Sequence, residues 1–68
     1  MQDWWDGQNE DAKAAWCQVG AGSLQIGPAM QTSVMRASAA GEPWIEQAEG
    51  GAEWVMTQAF MAFVERQC

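Results

Sequence analysis

Apolar positions in the first third of the chain follow a helical rhythm. Ala12, Ala15, Trp16 and Val19 recur at i, i+3, i+4 and i+7, the spacing that lines one face of a helix. Glu10 and Asp11 stand in its first turn, where carboxylates favour the positive end of the helix dipole. Asp6 and Asn9 are capping candidates. Gly20 and Gly22 are expected to stop this helix, because glycine readily takes the left-handed backbone a C-terminal cap needs. Residues 1 to 9 form a leading segment, free to be flexible, that carries the neighbours Trp4 and Trp5. If it is extended the two rings point opposite ways, so one of them is expected to look outward. Between Gly20 and Gly27, Leu24 and Ile26 alternate and are expected to plug the core.

Pro28 suits the first position of a second helix, where its missing N–H costs nothing. Ile26, Met30, Val34 and Ala37 mark that helix's inner face, and Ala39-Ala40-Gly41 ends it. Pro43 opens a short third helical segment by the same logic, with Trp44, Ile45 and Ala48 apolar. A last helix is expected from about Ala52 to Arg66. Gly50-Gly51 lies between them, at a cost of about 2 kcal/mol to a continuous helix relative to alanines. The apolar centre of Trp44, Ile45 and Ala48 is displaced by roughly 70° from that of Met56, Phe60 and Phe63 at the helical rotation per residue. One straight helix cannot bury both sets. The pattern therefore predicts an all-α fold: one domain over residues 1–68, a small bundle of three helices plus one short helix, with a kink or break near Gly50-Gly51.

Composition narrows what such a bundle can do. The chain has 68 residues, nine acidic and three basic, for a net charge of −6, with no histidine and no tyrosine. A chain this short buries roughly 60% of the surface its unfolded form exposes, so its core is thin. Absent histidine removes imidazole bases and His-ligated metal sites. The charge is localised: residues 1 to 11 carry −4, residues 37 to 53 carry −4, and the rest is +2. Such a chain repels phosphate backbones, so no direct nucleic-acid binding and no membrane binding by charge are expected. The longest apolar run, Ala59 to Val64, is far short of the ~20 residues that span a bilayer. An acidic N-terminus without basic or apolar signal regions points to a cytoplasmic protein. In a reducing cytosol, Cys17 is expected as a buried thiol and Cys68 as a frayed one, ahead of a disulfide joining them.

Catalytic constellations are hard to assemble from these residues. Gly20-Ala21-Gly22-Ser23 lacks the third glycine of a dinucleotide fingerprint and the lysine of a P-loop, so it reads as a connector. Serines, threonines and cysteines have no base to activate them, and the core leaves little room for a pocket. The protein is expected not to be an enzyme, and no cofactor or metal is expected. Glu42, Glu46, Glu49 and Glu53, spaced four, three and four apart, would form one carboxylate stripe on a helix. That stripe reads as a solvated face, as a complement to a basic partner surface, or, with no ligand-loop geometry behind it, as a Mg²⁺ or Ca²⁺ site.

Five tryptophans are the most informative feature, because a domain this small can bury two or three rings of 150–250 Å² each. Trp16 and Trp44 are in phase with helix cores. Trp54 and Met61, seven apart, would lie on the outer side of the last helix, opposite Met56, Phe60, Phe63 and Val64. An apolar pair there suits either an interface or a helix covered on all sides. Pro43-Trp44-Ile45-Glu46-Gln47 resembles the start of the first groove helix of class I histocompatibility molecules, over five residues and without that domain's length or strands, so nothing is carried over from it. In size, charge and lack of catalytic residues the chain is similar to small acidic inhibitors of bacteriophages and mobile elements, such as anti-CRISPR proteins and polymerase or restriction inhibitors. That resemblance implies a viral protein-binding inhibitor. The expected function is a non-enzymatic interaction module, an inhibitor or adaptor that binds a larger protein with a basic surface. Trp54, Met61, Trp4 or Trp5, and Glu42, Glu46, Glu49 and Glu53 are its candidate partner-binding residues. The alternative is a self-associating helical subunit, a homodimer that buries the same outer face.

Overall fold

The computed structural model describes residues 1–38, 43–51 and 53–68. In chain order the described residues form α1 (Gln2–Asp6), α2 (Glu10–Gly20), α3 (Pro28–Ala37), β1 (Ile45–Gln47), β2 (Trp54–Met56) and α4 (Gln58–Gln67). The fold is mixed α and β, which corrects the all-α expectation: the strands form a two-stranded antiparallel sheet. Ile45 pairs with Met56, Glu46 with Val55 and Gln47 with Trp54.

Local chemistry explains most boundaries. The Asn9 side chain accepts the Ala12 N–H at 2.8 Å and caps α2. At the other end Ser23 N–H reaches the Gln18 carbonyl and Gly22 N–H the Val19 carbonyl, with Gly22 at φ +80°. This is the paired-bond stop that a left-handed glycine permits. Pro28 occupies the first turn of α3, whose N-cap Gly27 offers no side chain. Ala39, Ala40 and Gly41, expected to end that helix, lie outside the described residues.

Gly50 and Gly51 do not kink a helix; they reverse the chain between the two strands. Gly51 N–H donates to the Ala48 carbonyl at 2.9 Å, with φ +99° at Gly50 and +78° at Gly51. Such backbone favours glycine over residues bearing a Cβ. The last helix accordingly begins at Gln58, not near Ala52. Thr57 joins the two elements: its N–H and its hydroxyl both donate to the Trp44 carbonyl, and its Oγ1 accepts the Phe60 N–H. One residue thus closes the hairpin and caps α4.

Phe60 sits at the centre of the core with no exposed surface. Its ring meets Trp4, Trp16 and Trp44 at centroid distances of 5.6, 5.3 and 5.4 Å, and Phe63 at 6.3 Å. Trp5 packs edge-on against Phe63, and Val34, Ile45, Met56 and Val64 complete the cluster. Each aromatic pair of this kind contributes about 0.5–1.5 kcal/mol beyond its buried area. Trp5, Trp16 and Trp44 are buried, and Trp4 and Trp54 are half-buried. Neither leading tryptophan looks outward as expected, because residues 2–6 are helical and both rings reach the cluster from α1. Cys17 and Cys68 form a disulfide, which replaces the expected free thiols and ties the end of α4 to α2.

Candidate functional site

On an antiparallel pair, residues along one strand alternate between the two faces of the sheet. Ile45 and Met56 therefore turn into the core, while Glu46 and Val55, opposite each other, stand on the outer face and are exposed. Trp54 shares the Met56 face but sits near the turn, where the core runs out, and stays half-buried. Beyond β2 the segment Gly22–Ile26 leaves α2 and passes alongside. It is held there by Gln25, whose Nε2 donates to Glu53 Oε1 at 2.9 Å.

Between this segment and β2 lies a groove of about 280 Å³. Leu24, Val55 and Met61 border it with 41%, 38% and 38% of their surface exposed. Val19, Ile26, Trp54 and Met56 also line it, and Glu53 supplies a carboxylate. Single exposed apolar residues are ordinary; here several gather around one concavity with a carboxylate at its border. Two further cavities lie elsewhere. One adjoins the disulfide, lined by Gly20, Val64 and Glu65, and the other lies between α2 and α3 beside Trp16 and Met30. Neither contains a candidate residue of the sequence reading.

The structure sorts those candidates. Trp54, Met61 and Glu53 meet at the groove, although Trp54 arrives from β2 and not from the last helix. Glu46 is exposed on β1 opposite Val55 and does not line the groove, and Glu49 lies exposed in the turn. Glu42 lies outside the described residues. The helical carboxylate stripe is overturned, since Glu46, Glu49 and Glu53 belong to a hairpin and no longer share one helix face. Trp4 is engaged elsewhere: its indole N–H donates to Ser33 Oγ at 3.1 Å and its ring lies in the aromatic cluster. Trp5 is buried.

Leu24 and Val55 are the groove residues that pattern reading missed. Leu24 was expected in the core beside Ile26; Ile26 does pack there, whereas Leu24 is exposed. Among the described residues there is no group of three or more cysteines or carboxylates placed to hold a metal ion. No helix among them is long and apolar enough to cross a membrane. Compared with known proteins, the chain matches no family, no curated protein and no solved structure.

Proposed function

We propose that this chain is a non-enzymatic protein-interaction module, an inhibitor or adaptor, whose binding surface is the groove between Gly22–Ile26, β2 and the start of α4. The observation that carries the reading is the meeting of Trp54, Met61 and Glu53 with the exposed Leu24 and Val55 around one concavity. Tryptophan and methionine suit that role, the first as a large anchor and the second as an adaptable contact. Glu53 and Glu46, on a chain of net charge −6, favour a partner with a basic surface and speed its approach. The hydroxyls of Ser33 and Thr57 are engaged in holding the fold. The disulfide favours an oxidising working compartment over the cytoplasm, because such bonds are rare where thiols are kept reduced.

A photocrosslinking residue placed at Met61, and separately at Met35, tests this. Met35 is 47% exposed on α3 and does not line the groove. Position 61 should capture a partner that position 35 does not, with yield falling as salt rises. Equal capture from both positions, or a partner that ignores salt, contradicts the reading. Capture of a second copy of the chain from position 61 would replace it with the homodimer.

A further inference from the structure

Opposed residues of an antiparallel pair alternate between those that exchange backbone hydrogen bonds and those that do not. Two bonds set the phase here. Thr57 N–H donates to the Trp44 carbonyl at 2.9 Å, and Ala48 N–H to the Glu53 carbonyl at 2.8 Å. Glu46 and Val55, midway between them in register, are thus the remaining bonded pair. Trp54 and Met56 fall at the unbonded positions, so their backbone N–H and C=O groups point away from β1. Among the described residues none of these four groups has a hydrogen-bond partner. Both residues line the groove, and β1 does not, which places the groove on this free side of β2. On the opposite edge the outward groups of Ile45 and Gln47 likewise have no partner among the described residues, and what sets the β2 edge apart is the groove beside it.

Resting on the groove reading above, we propose that β2 accepts an extended segment of a partner protein as a third strand, with Trp54 and Met56 supplying the backbone pairing. The outward backbone groups of Trp54 and Met56 lack a hydrogen-bonding partner among the described residues. An extended chain provides one; a helix, whose backbone bonds are internal, does not. Alternate side chains of the added strand would face the apolar wall formed by Leu24, Ile26 and Met61. The Glu53 carboxylate, close to the first of the two pairing residues, selects a lysine or arginine at the adjoining position. A second copy of this chain fits less well, since it brings another −6 of charge to the same edge. The occupant is therefore a basic, alternately apolar strand of a different protein.

Selection of a displayed library of random decapeptides against the folded, disulfide-closed chain tests the mode of binding. Enriched peptides should alternate apolar and polar residues and carry net positive charge. N-methylation of a peptide amide that faces β2 should weaken binding about tenfold, while the same change one residue along should alter it less than about twofold. Bound peptide should slow amide hydrogen exchange at Trp54 and Met56 and leave Val55, already bonded to β1, unchanged. Peptides with helical apolar spacing, or indifferent to N-methylation, would overturn strand addition. If they still lose binding on Leu24→Asp and Met61→Asp, the groove reading survives that result. Peptides that bind equally to both variants, or a library that yields none, would remove the groove reading as well.

Discussion

Phe60 and Met61 are neighbours on α4, yet they belong to regions that use apolar surface in opposite ways. Around Phe60 four aromatic rings and the side chains of α2, α3 and the hairpin exclude water altogether. The half-buried indole there still finds its partner, Trp4 bonding to Ser33. Around Met61, the side chains of Leu24, Val55 and Met61 itself are 38–41% exposed, and the adjoining strand edge has backbone groups without partners among the described residues. A rotation of about 100° along the helix separates the two environments. In a chain of this size the core holds the fold with little to spare, so apolar surface left outside it costs solubility. That contrast gives the first region to stability and makes the second the surface proposed for recognition.

The largest blow to the contrast comes from Phe60→Ala. Truncating a fully buried phenylalanine costs about 3–5 kcal/mol, and a domain of this length has roughly 3–10 kcal/mol in total. Urea titration followed by tryptophan fluorescence should show most of the folding free energy gone. A loss under about 1 kcal/mol would mean the cluster is not the support of the fold. Removing the disulfide comes next. It links residues 51 apart in sequence, and in the chain-entropy account a closure of that length stabilises by about 4 kcal/mol. Measured effects often fall below that figure, so Cys17→Ser with Cys68→Ser should lower the denaturation midpoint while leaving the near-ultraviolet tryptophan signal in place. Loss of that signal in the absence of denaturant would show that the aromatic cluster depends on the bond.

A smaller effect is expected at Thr57, where the core region meets the hairpin. Thr57→Ala removes the hydroxyl that donates to the Trp44 carbonyl and caps the Phe60 N–H, a loss of about 1–2 kcal/mol. Thr57→Ser keeps both bonds and should recover most of it. Equal destabilisation by serine and alanine would assign the effect to the lost methyl.

This hinge is also where pattern reading stopped succeeding. The helical period of residues 12–19 extends over two turns and carries Trp16 into the core, as the period of Met30 and Val34 carries Val34. Residues 45–47 and 54–56 are too short to display an alternation, and the spacing of Glu46, Glu49 and Glu53 imitates a helix. Pairing across the turn, together with burial of Ile45 and Met56, decides their conformation, and neither can be read from a local window. A usable signal was present nonetheless: Trp-Ile and Trp-Val runs flank a short link containing Gly50-Gly51, the mark of a hairpin. Their spacing puts Trp54 and Met61 on one helix, yet they reach one groove by another route, from β2 and from α4. Leu24 had no local signal, because its exposure depends on the segment passing beside β2.

The smallest expected change in stability is at the groove itself, and it separates the two regions most sharply. Leu24→Gln and Met61→Gln alter side chains that already keep 41% and 38% of their surface in water. Substitutions at such positions shift stability by about 0.5 kcal/mol or less, so urea curves of both variants should nearly overlay the parent. Binding of a partner in the groove should respond far more, because contact would remove the same side chains from water completely. Retained stability with lost binding is the signature of surface held open for another molecule. A loss of 2 kcal/mol or more in either variant would instead make the groove a loosely packed extension of the core. Leu24 and Met61 would then have to be counted with Phe60, and the division between the two faces of α4 would disappear.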